Sequence, residues 1–147
     1  MSAQLSIQSA IVAALNSAPA LSNVRANSMR PMSASQSQSI VVRLIQSRAA
    51  TPQVLSGSYE WVTDYQVECL ARAANASTDP ASVVDSLLDA AWARLASMSP
   101  SGVGVIDVRM LPEIQWQYDD ADTPMAAAII SMQVLHRTAA TSLTAWT

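Results

Sequence analysis

Three long segments that alternate apolar and polar residues surround one capped helix, and this pattern constrains the fold more than any other feature of the chain. The helix is predicted over Asp79–Met98, because Asp79 is a favourable N-cap and Pro80 suits the first helical position. Alternation with a period of two is typical of half-buried strands. It runs through Tyr59–Arg72, Val105–Tyr118 and Met125–Arg137. The sequence therefore predicts an α+β fold.

The segments before Tyr59 complete the order of elements. Gln4–Asn16 has the spacing of a short amphipathic helix, and Ser39–Arg48 is a β-branched run typical of a strand. The predicted order is α-β-β-α-β-β in a single domain over residues 1–147. Tight connections favour a mainly antiparallel sheet of about four long strands, with the two helices packed on one face. We expect an irregular loop over residues 23–38 and a C-terminal tail over residues 138–147.

Two finer expectations concern the strands. Pro112 cannot donate to a strand ladder, so it predicts a bulge or a sheet edge within Val105–Tyr118. Three of the four tryptophans fit core positions by their parity or helical spacing, namely Trp61, Trp92 and Trp116. The acids Glu60, Asp64 and Glu68 share the other parity of their strand and predict a polar outer face.

Composition limits the classes of function. Charged residues make up 13% of the chain, about half the usual share, and 50% of the residues are hydrophobic. Either an Ala- and Ser-rich composition explains this, or much of the surface is buried against other subunits. All eight basic residues are arginines, and they form no basic run. We therefore expect no autonomous nucleic-acid binding. No stretch approaches the ~20 apolar residues of a membrane span, so no membrane association is expected.

The sequence offers no catalytic or cofactor constellation. The single histidine, His136, and the single cysteine, Cys69, lie in different predicted strands on apolar parities. We expect a structural imidazole and a buried thiol there, and no metal site. Three glycines in the whole chain cannot form a phosphate-binding loop. We accordingly expect no cofactor and no enzymatic activity.

One acidic cluster stands out at a predicted hairpin tip, formed by Asp119, Asp120 and Asp122. It lacks the glycine and distal glutamate of a calcium loop, so a solvated tip or a docking site for a partner is favoured over a cation site. Three further residues are candidates for contact with a partner, namely Arg30, Arg43 and Trp146. Trp146 lies in the tail, where burial against a neighbouring subunit is plausible.

Over about Ile40–Thr138 the chain resembles the tail-terminator (tail-completion) proteins of tailed bacteriophages. Three features carry the resemblance. The first is the long alternating strand Tyr59–Ala71, and the second is the helix from Asp79 to Leu95 with its VVDSLLDAAWARL pattern. The third is the closing pair VIDVRMLPEIQWQYDDADTPMAAAIISMQVLHRT, in which an acidic loop enters the last strand.

The resemblance implies a structural virion protein without catalytic residues. Such proteins form a ring, usually a hexamer, on the head-proximal end of the tail tube and offer a docking surface to head-completion (neck) proteins. Genomic DNA passes through the lumen without sequence-specific binding, and assembly takes place in the host cytoplasm. Three other classes stay open: a head-to-tail connector or stopper of the neck, a tail-tube subunit, and a small α+β enzyme.

Overall fold

The computed structural model describes residues 1–17, 19, 21, 23–28, 35–50, 57–98, 104–119 and 123–144. It contains two helices and five strands. In chain order they are α1 (Ala3–Leu15), β1 (Val24–Ala26), β2 (Gln38–Ala49), β3 (Ser58–Arg72), α2 (Pro80–Ala96), β4 (Val105–Asp119) and β5 (Met125–Ala139). No helix within the described ranges is long and apolar enough to cross a membrane.

The strands form one sheet in the order β1-β2-β3-β5-β4. β1 pairs with β2 in parallel, and every other pair is antiparallel. This confirms the predicted α+β class and the mainly antiparallel sheet of four long strands.

The prediction of an irregular loop over residues 23–38 is wrong where Val24–Ala26 forms the short strand β1. Three residues are too few to show a hydrophobic period, so the sequence carries no strand signal there. Asn23 and Asn27 flank the strand with φ angles of 50° and 49°. Asparagine tolerates this left-handed conformation better than most residues.

Both helices cover the same face of the sheet, as predicted. α1 packs on β1 and β2, and α2 packs on β3 and β5. The Asp79 side chain caps α2 by accepting a hydrogen bond from the Ala81 N–H at 3.0 Å. Near the other end of α2, the Arg94 Nη1 donates to the carbonyl oxygens of Leu15 at 2.9 Å and Ser17 at 2.6 Å, which ties α2 to the end of α1.

The core lies between the helices and the sheet. Its helix side is the apolar stripe of α2 predicted from spacing, in which Trp92 is only half-buried. Each fully buried aliphatic side chain contributes roughly 1.5–3 kcal/mol relative to an exposed one. The largest fully buried members include Ile11, Leu15, Tyr65, Val84, Leu95, Ile130 and Met132.

Candidate functional site

Strand β4 is one edge of the sheet. It pairs with β5 on one side, and no other strand of the described chain pairs with its outer side. Pro112 falls in a register shift between Met110 and Ile114, so the strand is both bulged and at an edge, as the proline predicts. Beyond the shift, Ile114–Asp119 is an unbroken strand segment. An exposed edge of this kind presents unpaired N–H and C=O groups that can accept another strand.

The same segment carries a bare apolar row. Ile114, Trp116 and Tyr118 are 38%, 40% and 61% exposed. Their register partners on β5 are the buried residues Ile130, Ala128 and Ala126, so the row lies on the helix-covered face of the sheet.

The expectation that Trp116 belongs to the core is therefore wrong. Its parity is the core parity, but α1 packs over β1 and β2 and α2 over β3 and β5, which leaves this end of β4 uncovered. Ile114 and Tyr118 follow the same alternation. The sequence shows their parity but not their distance from the helices.

The opposite edge of the sheet is built differently. A pair of amides joins α1 to the chain just after β1: Gln8 Nε2 donates to Asn27 Oδ1 at 2.9 Å, and Asn27 Nδ2 donates to Gln8 Oε1 at 3.0 Å. Gln8 also donates to the Val42 carbonyl oxygen of β2 at 2.9 Å. Helix α1 is thus fixed over this edge, whereas the β4 edge has no such cover within the described chain.

Arg25 is the exposed cation of the β1 edge. Its register partner on β2 is Val41, which packs with Leu70 and Ala127 in a small apolar cluster on the sheet face away from the helices, here called the outer face. No acidic group of the described chain lies within ion-pair distance of Arg25. The sequence reasoning missed this residue, because it falls in the segment predicted as a loop.

The acids predicted for the outer face of β3 are ion-paired to neighbouring strands. Glu68 accepts a hydrogen bond from Arg43 Nε at 2.6 Å, and Asp64 pairs with Arg48. Glu60 pairs with Arg137 of β5. Partly exposed pairs of this kind contribute about 0–1 kcal/mol each. Their main consequence is that these three arginines are already neutralised within one subunit.

Asp64 is the most extensively hydrogen-bonded of these acids. Burial by itself would raise the pKa of its carboxyl group. Hydrogen bonds from Gln46, Arg48 and Gln133, together with the charge of Arg48, outweigh that effect and hold the pKa below its ordinary value. The carboxylate is therefore ionised at neutral pH and is not poised for acid–base chemistry.

His136 is buried and sits in a row of hydroxyl groups. Its Nε2 lies 2.7 Å from Thr63 Oγ1, which in turn lies 2.7 Å from Ser47 Oγ. Burial lowers the imidazole pKa to about 4, so the ring is neutral at physiological pH. With 1% of its surface exposed, it cannot reach a dissolved substrate. The arrangement fits the structural role predicted for it.

The other buried titratable groups are equally unsuited to catalysis. Burial raises the pKa of the Cys69 thiol to about 12, which keeps it protonated and unreactive. Burial also raises the pKa of Tyr65, whose hydroxyl donates to the Gln4 carbonyl oxygen at 2.7 Å. No group of three or more metal-ligating side chains occurs among the described residues.

The predicted partner contacts divide into two groups. Asp119 is exposed and is the last residue of β4, beside Met125 of β5. Arg43 is half-buried in its ion pair with Glu68 and also donates to the Ser28 carbonyl oxygen at 3.0 Å. Contact of either residue with a partner stays a prediction. Four predicted residues lie outside the described residues, namely Arg30, Asp120, Asp122 and Trp146.

No protein-family model matches the chain, and no curated protein matches it. Among solved structures, the chain is similar to a chain of the virion of a native gene transfer agent particle, with 13% sequence identity and a TM-score of 0.45. The similarity covers 90% of this chain and 89% of the other.

Proposed function

We propose that this protein is a structural virion component that assembles into a ring and caps the head-proximal end of a phage tail tube. The observation that carries the proposal is the bare row of Ile114, Trp116 and Tyr118 beside an open strand edge. Two large aromatic side chains exposed next to unpaired backbone groups are unfavourable in an isolated subunit and favour association. The residues that resemble tail-terminator proteins include this whole segment.

The chemistry of the buried groups supports a non-enzymatic role. His136 is neutral and enclosed, Cys69 is a protonated buried thiol, and Asp64 is held by hydrogen bonds. None of them combines exposure with the activated protonation state that catalysis requires.

If the ion-paired outer face lines the lumen of the proposed ring, its arginines would favour passage of DNA without sequence-specific binding. Arg43, Arg48 and Arg137 each pair with a carboxylate of β3. An arginine that must first leave such a pair gains less from a phosphate than a free one does. A DNA duplex that moves through a ring during packaging or ejection requires weak contacts of this kind.

The partners follow from the proposed position. One side of the ring would meet the tail-tube protein, and the other would meet the head-completion or connector proteins of the neck. The acidic hairpin tip that begins at Asp119 is the proposed docking element, because concentrated negative charge can pair with arginines on a neighbouring ring.

Negative-stain electron microscopy with mass photometry tests the proposal. The purified protein should form closed rings, and rings mixed with tail tubes from the same phage should bind one end of each tube and stop its growth. Trp116→Ser serves as the matched control that should remain folded and fail to assemble. Binding to the portal-side neck instead of the tube would indicate a connector or stopper. Continuous filaments would indicate a tube subunit, and monomers with measurable turnover would indicate an enzyme.

A further inference from the structure

We propose that neighbouring subunits associate head-to-tail by pairing β4 of one subunit with β1 of the next, antiparallel, in a register that sets Gln115 opposite Arg25. This inference rests on the ring assembly proposed above and names the surfaces that form it. Because the two surfaces differ, the association is heterologous and can close into a ring.

The strand directions permit this pairing. β2, β1 and β5 run one way, and β3 and β4 run the other, as the antiparallel β2–β3, β3–β5 and β4–β5 pairs and the parallel β1–β2 pair require. β4 of one subunit and β1 of the next are therefore antiparallel wherever the sheet continues from subunit to subunit. An antiparallel ladder forms without rearrangement of either strand.

The register follows from series of register partners, one residue from each strand, that cross the whole sheet; each such series is called a row here. Arg25 pairs with Val41, Val41 with Glu68, Glu68 with Ile129, and Ile129 with Gln115. Arg25 and Gln115 thus stand at the two ends of one row. If the next sheet continues this row without stagger, Gln115 of one subunit lies beside Arg25 of its neighbour.

The adjoining rows match apolar residues with apolar residues. The row that begins at Val24 ends at Trp116, through Ile40, Cys69 and Ala128. The row that begins at Ala26 ends at Ile114, through Val42, Val67 and Ile130. Continuation of the sheet therefore places Trp116 beside Val24 and Ile114 beside Ala26, on the helix-covered face.

On the helix-covered face, the β1 edge has a helix packed over it and the bare row of the β4 edge does not. α1 packs on β1 and is held there by the Gln8–Asn27 amide pair. The β4 edge carries the bare row of Ile114, Trp116 and Tyr118 without a helix of its own in the described chain. Head-to-tail pairing brings the neighbour's α1 alongside this bare row, which removes apolar surface from water.

The charges of the outer face are complementary as well. Gln115 Nε2 donates to Glu113 Oε1 at 3.2 Å, so Glu113 lies on the same face as Gln115. Arg25 lies on this face too, through its partner Val41. In the proposed register Glu113 is a diagonal cross-strand neighbour of Arg25, within reach of its long side chain.

A two-fold pairing of β4 with β4 lacks these advantages. Centred on Trp116, it would set Glu113 of one subunit opposite Asp119 of the other, and like charges directly opposite are destabilising. It would also place two bare apolar rows side by side in one sheet, with no helix over either. The β1 edge of the next subunit is therefore a better partner for the β4 edge than a second β4 edge.

Charge exchange tests the pairing. Glu113→Arg and Arg25→Glu, each alone, should weaken association about fivefold per interface at low salt, the change that corresponds to about 1 kcal/mol. An equimolar mixture of the two variants should assemble again, because the two exchanged charges then meet across one interface and the two original charges meet across the next. Asp89→Arg, an equal change of charge on the exposed side of α2, should leave assembly intact.

Disulfide trapping tests the register. An oxidised mixture of Arg25→Cys and Gln115→Cys subunits should yield covalent dimers, whereas either variant alone should yield none. Circular dichroism and mass photometry of each variant check that it folds and record its assembly.

The outcomes separate this inference from the function it rests on. Rings that form normally from either single charge variant, or dimers cross-linked by Gln115→Cys alone, overturn the head-to-tail pairing and leave ring formation standing. Rescue in the mixture together with a failure to bind tail tubes supports the pairing and overturns the tail-terminator role. A parent protein that stays monomeric overturns both.

Discussion

The Nε2 atom of His136 on β5 lies 2.7 Å from the Thr63 Oγ1 atom on the neighbouring strand β3, the central strand of the sheet. The contact joins the single histidine of the chain to a buried hydroxyl in the middle of the sheet. Burial at this position holds the imidazole neutral, and the stability of the fold therefore depends on pH.

The first prediction concerns acid stability. The pKa of His136 is about 4 in the folded protein, against 6.5 for an ordinary imidazole. The unfolded chain therefore binds the proton more tightly, and stability that is fully present above pH 6.5 is lost as the pH falls towards 4. The loss should be on the order of 2–3 kcal/mol. Urea unfolding at pH 7 and pH 4.5 measures it.

A matched variant isolates this effect from the titration of carboxyl groups. His136→Asn removes the titrating group. It should reduce the difference in unfolding free energy between pH 7 and pH 4.5 by about 2–3 kcal/mol, although it lowers stability at both pH values. A variant with the same pH dependence as the parent would show that other groups cause the acid sensitivity.

The second prediction concerns the helix-side core. Leu95 is fully buried on α2, so Leu95→Ala should cost about 2–5 kcal/mol of unfolding free energy. Leu5→Ala, on the exposed side of α1, should change it by less than about 0.5 kcal/mol. Denaturant midpoints at one protein concentration compare them. Equal costs at both sites would mean that the helices pack on the sheet by other faces.

The third prediction separates folding from assembly at Trp116. Because the side chain is 40% exposed in the subunit, Trp116→Ser should change monomer stability by roughly 1 kcal/mol or less while it weakens association. Ile45→Ser removes another exposed apolar side chain, on β2, which is not an edge strand of the sheet, and should not affect association. Sedimentation velocity measures the change. Loss of soluble folded protein from Trp116→Ser would place this side chain in the core after all.

The fourth prediction concerns the acidic hairpin tip. Replacement of Asp119, Asp120 and Asp122 by Asn should leave the fold intact and weaken docking to the tail tube or neck. The loss should be larger at low salt, where exposed charges interact over longer distances. Asp85→Asn combined with Asp89→Asn removes exposed acids from α2 instead and serves as the control. Co-sedimentation with tail tubes at two salt concentrations measures docking. Normal docking by the triple variant would show that the tip is solvated and contacts no partner.

The sequence alone determined the two helices, the four long strands and the faces of those strands. Strict alternation in β3 placed Tyr65 and Cys69 towards the core and Glu60, Asp64 and Glu68 towards the other face, because a strand has a fixed side-chain period of two. Local chemistry set the Asp79 cap and the irregularity at Pro112. These features depend on residues close together in the chain, and such local signals can be recognised in the sequence alone.

The tertiary structure decided which of those faces are covered and where the sheet ends. Trp116 has the alternation of a core residue, yet it is exposed because β4 is the outermost strand and the helices pack over β1, β2, β3 and β5. Arg25 is an edge residue because β1 pairs in parallel with β2, and the three residues of β1 are too few to predict that pairing from the sequence. Strand order and helix placement arise from contacts between distant segments, and the pattern of a single segment does not encode them.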